Sequence, residues 1–152
     1  MKKFEFTGET KTISLFFRTA TLHRIRAVAE FGLVKIGDLG GWIEKEENLS
    51  HEGKAWVWGN AEVWGNAEVF SASHVLVIGA IGSRDDFTTF FRDKDNEITV
   101  KCGCFLGKID KFLEKVTQTH GDSKYALVYR AAVEVARLQI DLLGEAPKDA
   151  DE

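Results

Sequence analysis

A few side chains in this sequence have types and spacings that could do chemistry. His74 could act as a general base, since an imidazole titrates near neutral pH. Cys102 and Cys104 form a Cys-x-Cys pair within a predicted strand, which places both thiols on one face. A zinc site would need two further ligands, and His120 is the only histidine close to this pair in sequence. We therefore favour two small buried cysteines over a metal or redox site.

Acidic residues cluster around a predicted β-hairpin near residue 90. Asp85, Asp86, Asp93 and Asp95 could pair as carboxylates or bind a cation, but their positions fit turn residues better, because Asp side chains bond to nearby backbone groups. The chain contains no glycine-rich nucleotide loop, nucleophile elbow or zinc-spacing motif. We expect a protein that is not an enzyme and that binds neither a metal nor another cofactor.

Charge separates along the first half of the chain. Residues 11–35 hold five basic side chains against Glu30 alone, whereas residues 36–70 hold seven acids against two lysines. The plain interpretation is two solvated faces that pair with each other. The alternative is a cradle for an anionic ligand or an acidic partner surface, formed by Arg18, His23, Arg24 and Arg26.

A six-residue repeat is the main structural pattern. Its first position is aliphatic in five successive units, at Val57, Val63, Val69, Val75 and Ile81. Its fifth position is small in the first four, at Ala61, Ala67, Ser73 and Gly79. A helix would show a period of 3.6 and an ordinary strand a period of 2. A period of six with an aliphatic residue, a turn and a small residue is typical of a hexapeptide β-helix, with the aliphatic residues inside.

These units resemble the repeats of left-handed β-helix proteins. The lead-in Val34-Lys-Ile-Gly-Asp-Leu-Gly-Gly-Trp-Ile-Glu, then Glu47-Asn-Leu-Ser and runs of Gly-Asn-Ala-x-Val, is more narrowly similar to a group of phage and prophage proteins. The resemblance covers residues 33–82 and much of the first half. It implies a left-handed β-helix and a phage origin, and it implies no activity. Five units make fewer than two coils, whose open ends would need capping.

The flanks complete an α+β prediction. A β-rich N-terminal half with a short hexapeptide-repeat β-helix spans 1–86, a ββαα unit spans 87–144, and a disordered tail spans 145–152. The unit contains a hairpin at 87–105, a helix ending near Gly121, and a second helix from Asp122 or Ser123 to about Leu143. The second helix carries an apolar stripe that must be covered on more than one side, formed by Leu127, Ala131, Val135, Leu138 and Leu142. The unit could cap the coil or mediate self-association.

The second position of the repeat is aromatic or apolar. Alternation places this position outside the coil, so we predict an apolar girdle at Trp58, Trp64, Phe70 and Leu76, with Trp56 beside it. A soluble monomer rarely exposes such a girdle, so it must be covered by the C-terminal helices or by another chain. Glu62 and Glu68 lie between these aromatic residues and would add an acidic face.

These features favour a phage-encoded, non-enzymatic binding protein in the host cytoplasm. We expect it to inhibit a bacterial defence component, as an anti-CRISPR protein does, by contacting a host protein or ribonucleoprotein complex. The predicted partner-binding residues are Trp56, Trp58, Glu62, Trp64, Glu68 and Phe70. The net charge of −4 argues against wholesale phosphate binding, and no apolar run approaches the ~20 residues of a membrane span. We therefore expect a homo-oligomer that binds neither nucleic acid nor a membrane.

Two alternatives belong to other functional classes. The first is a sponge for a nucleotide signal, in which Arg18, Arg24 and Arg26 hold phosphates and a tryptophan stacks on the base. The second is a reduced hexapeptide acyltransferase with His74 as its base. A structural role in the virion is a further alternative.

Overall fold

In the computed structural model, which describes residues 2–15, 17–65 and 67–142, all strands precede the two α-helices. The strands are β1 (Phe4–Ser14), β2 (Thr19–Ala27), β3 (Leu39–Ile43), β4 (Glu62–Val63), β5 (Val75–Ile81), β6 (Asp86–Arg92), β7 (Ile98–Cys102) and β8 (Phe105–Lys108). The helices are α1 (Ile109–His120) and α2 (Lys124–Gln139). The predicted α+β class is confirmed, as two open four-stranded sheets followed by two helices.

The first sheet has the order β1-β2-β3-β4. β1 and β2 form a long antiparallel ladder, and β3 pairs antiparallel with β2. β3 then pairs in parallel with β4 through Trp42↔Glu62 and Ile43↔Val63. A separate parallel bridge joins Leu49 to Val69, which is again an offset of 20 residues in sequence. The repeat segment therefore makes one turn and pairs in parallel with the lead-in.

The predicted β-helix is wrong. Across residues 2–15, 17–65 and 67–142 neither sheet closes on itself, and the repeats contribute only the two-residue β4 and one bridge to the first sheet. Turns interrupt the units before a longer ladder can form. Val75 and Ile81 fit the period of six, but they lie on β5, which pairs antiparallel with β6. The nearby strand competes successfully for β5 because a hairpin needs only a short connection.

The inward position of the aliphatic residues is confirmed for three units. Val57, Val63 and Val69 are fully buried in the hydrophobic cluster of the N-terminal half, here called the N-terminal cluster. Small residues at the fifth position, Ala61 and Ala67, are buried with them. The period of six therefore describes the interior of this segment correctly, although it does not produce a coil of sheets.

The second sheet, β5-β6-β7-β8, is antiparallel throughout and lies between two hydrophobic clusters. Val75, Val77 and Phe91 pack against the N-terminal cluster. Leu76 and Phe90, which alternate with them, belong to a second cluster under the two helices, here called the helix-covered cluster. Side-chain alternation along β5 and β6 thus lets one sheet serve two cores.

The C-terminal prediction is largely confirmed. The hairpin forms, α1 ends before Gly121 at φ 58°, and α2 follows Ser123. Two details differ. The second helix ends at Gln139, before the end predicted near Leu143. The chain also turns at residues 103–104, where Gly103 has φ 57°, and β8 then pairs back onto β7. The second sheet begins at Val75, before the domain boundary predicted at residue 86. The predicted tail at 145–152 lies outside the described residues.

Neither described helix is long and apolar enough to cross a membrane.

Candidate binding surfaces

The four residues of the predicted anion cradle, Arg18, His23, Arg24 and Arg26, are each engaged by a neighbour. The pairs are Arg18 with Glu44, Arg24 with Glu9 at 3.7 Å, Arg26 with Glu5 at 2.5 Å, and His23 stacked on Phe6 with ring centroids 4.4 Å apart. The Arg26 guanidinium lowers the pKa of Glu5 by hydrogen bonding to it. These contacts fit the interpretation of two faces that pair with each other. An anion site at these four side chains stays a prediction.

The pair of Arg18 and Glu44 is the most developed of these contacts. Two guanidinium nitrogens of Arg18 donate to the two carboxylate oxygens at 2.6 and 2.9 Å, and the Gly65 backbone N–H donates to Glu44 Oε1 at 2.7 Å. The Arg18 hydrogen bonds hold the pKa of Glu44 below its usual range against the opposing effect of burial, and the Gly65 N–H adds to them. Glu44 therefore joins the lead-in to the repeats.

Glu62, a predicted partner-binding residue, joins the two sheets instead. Its carboxylate lies 2.5 Å from Lys11 Nζ and 3.0 Å from Lys101 Nζ, and its backbone N–H donates to Thr89 Oγ1 at 3.0 Å. Its side chain is only 17% exposed. Its charge is thus largely used within the chain, whereas Glu68 is exposed.

The prediction that the apolar girdle faces outward is wrong for two tryptophans. Trp56 is 2% exposed and Trp64 is 1% exposed, whereas Trp58 is 50% exposed and Phe70 is half-buried. Trp64 is flanked by the cations of Arg18 and Lys101, at 5.2 and 5.6 Å from its ring. The second sheet, which supplies Lys101, therefore covers the position that a free coil would expose.

Trp56 is covered within the first half. Its ring meets Phe31 edge-on with centroids 5.3 Å apart. A Cβ at Gly40 would lie 2.6 Å from the Trp56 ring, so only glycine allows this approach. Leu76, the last member of the predicted girdle, packs against the helix-covered cluster.

His74 does not point outward as the repeat register suggests. It is 1% exposed at the end of a short 3-10 helix (Ala72–His74), and Arg92 Nη1 donates to its Nε2 at 2.8 Å. Because arginine only donates, Nε2 must accept and the imidazole is neutral. Burial, and secondarily the Arg92 charge, lower the pKa of His74. His74 is therefore buried with its Nε2 bonded to Arg92, whereas the acyltransferase alternative would need its imidazole to reach a substrate.

The turn interpretation of the aspartates is confirmed at two positions. Asp85 lies in the β5–β6 turn with φ 49°. Asp93 Oδ1 accepts from the backbone N–H groups of Asp95 and Glu97, while its Oδ2 accepts from Thr99 and Lys108 at 2.7 Å each. Burial opposes the charged form of Asp93, but the Lys108 and Thr99 hydrogen bonds outweigh it and lower the pKa.

The cysteines occupy different environments. Cys102 ends β7 and is half-buried, whereas Cys104 is exposed in the following turn. The prediction of two thiols on one face of a single strand is therefore wrong, because the chain reverses between them. Among the described residues, no group of three or more His, Cys, Asp or Glu is placed to hold a metal ion.

An uncovered apolar feature lies on α2, where the sequence predicted a stripe but no site. Ala126, Tyr129, Ala132, Val133 and Ala136 bury one side of the helix against the second sheet and α1. The other side stays open, with exposed fractions of 60% at Leu127, 47% at Val135 and 88% at Leu138, and with Ala131 exposed between them. We call these four residues the α2 stripe. The signal was the width of the apolar stripe in the sequence, which exceeds what one neighbouring surface can cover.

No protein-family model matches the chain, and no curated protein matches it in sequence. The likeness to phage repeat proteins consequently depends on the motifs of residues 33–82 alone, and functional inference depends on the surfaces described above.

Proposed function

We propose that the protein is a non-enzymatic binding protein that acts as a homodimer joined through α2. The observation that carries this proposal is the α2 stripe, an exposed row of apolar side chains on a helix whose opposite side is well packed. Apolar patches of this kind on soluble proteins commonly mark interaction surfaces. The occupant that we propose is a second copy of the same chain.

The spacing of the stripe is nearly symmetric along the helix. Leu127 precedes Ala131 by four residues, and Leu138 follows Val135 by three. Two copies of α2 packed antiparallel about a two-fold axis between Ala131 and Val135 would therefore place Leu127 against the second copy's Leu138. The small Ala131 would then face Val135, which permits close approach of the helices. Such a contact is isologous, the common arrangement in homodimers.

The charge at the start of α2 favours the antiparallel orientation. Lys124 lies in the first turn of α2 and is exposed. Parallel packing would bring the two Lys124 ammonium groups side by side, whereas antiparallel packing places them at opposite ends of the contact. Electrostatic effects of this kind set orientation more than affinity. Because four side chains bury less than the roughly 1,600 Å² of a standard interface, we expect a dissociation constant on the order of micromolar.

Sedimentation equilibrium tests the dimer. Leu138→Glu should give a monomer, because it places two carboxylates in the interface. The matched control is Leu33→Glu, since Leu33 is equally exposed at 88% but lies in the β2–β3 connection; this variant should still dimerise. A wild-type chain that stays monomeric at roughly a hundred times the expected constant would disprove the dimer. So would equal dimerisation of the two variants.

We further propose that this protein, of phage origin, inhibits a bacterial host defence component such as a CRISPR complex through protein–protein contact. The support is the motif resemblance together with Trp58, the predicted aromatic partner residue that the fold leaves exposed. Tryptophan is enriched among the residues that anchor protein interfaces.

Phage plating on hosts with and without a phage-targeting CRISPR system tests this step. Expression of the protein should raise plating efficiency only where the system is active. Trp58→Ala should reduce the effect, whereas Tyr125→Ala, which removes a comparably exposed ring on α2, should not. A protein that protects phage from none of the CRISPR types tested would refute the inhibitor role and leave the dimer standing.

A further inference from the structure

A pocket of about 190 Å³ opens where one end of the second sheet meets both helices. Its walls are largely apolar, with Phe105, Phe112 and Val116 beside the ring of Tyr129. Polar and charged groups from the β5–β6 turn, the β7–β8 turn and α1 surround them. The pocket shares no residue with the α2 stripe or with Trp58.

One side of the pocket is held by a close approach between Tyr129 and Gly82. Gly82 has φ 80°, and a Cβ at this position would overlap the Tyr129 hydroxyl. The hydroxyl hydrogen-bonds with the Cys102 thiol, to which Thr88 Oγ1 also donates at 3.4 Å. Burial raises the pKa of Tyr129 to about 12, so the phenol is neutral and remains a hydrogen-bond donor. This wall is therefore rigid and polar at a single point.

The outer part of the pocket carries unequal charge. Arg84 and Lys115 are exposed cations on two different elements, and Asp86 is the one carboxylate among the lining residues. Asp86 Oδ1 also accepts from the Phe87 backbone N–H at 2.7 Å. His120 lies against Tyr129, with ring centroids 5.7 Å apart and planes at 29°. Together these charged side chains give the pocket an excess of one positive charge beside its apolar walls. This combination favours a ligand with an apolar body and an anionic group.

We propose that this pocket binds a small monocyclic aromatic carboxylate. An apolar cavity of about 150 Å³ accommodates benzene, so 190 Å³ holds one ring with a small substituent. The ring would pack among Phe105, Phe112 and Tyr129, and the carboxylate would face Arg84 and Lys115. This volume is below the roughly 300–1,000 Å³ of sites for drug-sized ligands, which favours a small ligand. The proposal is independent of the dimer.

Ligand-observed NMR and thermal shift on the full chain test the site, with three probes. Benzoate should bind in roughly the millimolar range expected for nine heavy atoms. Benzyl alcohol, which has the ring without the charge, should bind about threefold more weakly, and acetate should not bind detectably. Equal binding of benzoate and benzyl alcohol would overturn the anionic specificity, and no binding of either aromatic probe would overturn the site.

Substitutions on α1 test where the carboxylate of benzoate lies in the pocket. Lys115→Gln should weaken benzoate about threefold and leave benzyl alcohol unchanged. Lys111→Gln is the matched control, because Lys111 lies one turn earlier on the same helix, outside the pocket lining. Thr119→Trp, at an exposed lining position, should block both aromatic probes without touching the core. An equal loss of benzoate binding in the two lysine variants would contradict the proposed position of the carboxylate.

Protection of Cys104 is a second readout that needs no substitution in the pocket. Cys104 is exposed and lines the pocket, so saturating benzoate should slow its alkylation by iodoacetamide. Acetate at the same concentration should leave the rate unchanged. If benzoate binds but Cys104 reacts at its original rate, the ligand occupies another site and the proposal is wrong.

Discussion

The N-terminal cluster and the helix-covered cluster hold their backbones in different ways. Among the described residues between β3 and β5, only the two of β4 form part of a regular strand. Asn48, which is fully buried there, makes four bonds to the backbone. Its Oδ1 accepts from the N–H groups of Glu44 and Lys45, and its Nδ2 donates to the carbonyls of Gly65 and Ala67. The Asn48 side chain thus supplies backbone hydrogen bonds that a longer parallel ladder would otherwise provide.

Lys3 plays a similar part at the other edge of that cluster. Its Nζ donates to the carbonyls of Ala55 at 2.7 Å and Glu52 at 3.3 Å, and it lies 4.7 Å from the centre of the Phe31 ring. Its backbone N–H donates to His51 Nδ1 at 2.9 Å. The start of β1 is therefore bonded to a segment about fifty residues away.

The helix-covered cluster depends little on polar side chains that bond to the backbone. Strand ladders and two helices satisfy its backbone, and its interior is mainly apolar, with Phe112 in edge contact with Phe90 and Tyr129. Irregular backbone in the first half therefore depends on the identity of a few polar residues, whereas the second half depends on side-chain shape and close approach.

Asn48→Ala should have the largest effect, lowering the free energy of unfolding by about 3 kcal/mol or more. It leaves buried backbone donors and acceptors without partners, each of which costs roughly 1–3 kcal/mol. Urea unfolding measures the loss. The control is Asn60→Ala at an exposed position of the repeat, which should stay within about 0.5 kcal/mol of wild type. A loss below about 1 kcal/mol for Asn48→Ala would contradict the role given to this side chain.

Gly82→Ala should come next, with a loss of about 2–3 kcal/mol, since it combines a left-handed backbone with a clash against Tyr129. Gly103→Ala isolates the backbone contribution, because Gly103 has φ 57° and open space around its Cβ position; we expect about 1 kcal/mol. Gly82→Ala should cost less in a Tyr129→Ala background, because the added Cβ overlaps both the hydroxyl and the Cζ of Tyr129 and the shorter side chain removes both contacts. Additive effects of the two substitutions in a double-mutant cycle would disprove the clash.

Lys3 should give the smallest effect, visible as pH dependence. Burial lowers its pKa from 10.5 to about 8, with the charge of Glu52 opposing. Between these values the unfolded chain binds more protons than the folded one, so wild-type stability should rise as pH increases from about 8 to 10.5. Below pH 8 both states are protonated, and the full cost of burying the charge is present.

Unfolding curves for Lys3→Met across this pH range should lack the rise. Lys2→Met, at the exposed neighbouring position, should retain it. A parallel pH dependence of wild type and Lys3→Met would show that another group is responsible.

Local patterns predicted the second half well. The hairpin, the glycine after α1 and both helices depend on residues close together in sequence, and they form as expected. The inward valines of the repeat were likewise predictable from their period. The α2 stripe was visible as an unusually wide apolar band, although the sequence alone did not say which part would remain open.

The remaining differences come from long-range packing. A period of six places Trp64 outside, but it does not contain the information that Lys101 and the second sheet lie over that position. His74 is inward for the same reason, since Arg92 reaches it from β6. The pocket is formed by turns and helices that are distant in sequence, so no single sequence motif predicts it.

The alternation along β5 has a consequence for cooperativity. Val75 and Val77 pack in one cluster, and Leu76 and Ile78 pack in the other. Unfolding of either cluster would therefore expose one face of the same sheet to solvent. The two halves should therefore unfold as one two-state unit. The four tryptophans all lie in the first half and both described helices in the second, so fluorescence and far-ultraviolet dichroism report on different halves. Their denaturation midpoints should coincide.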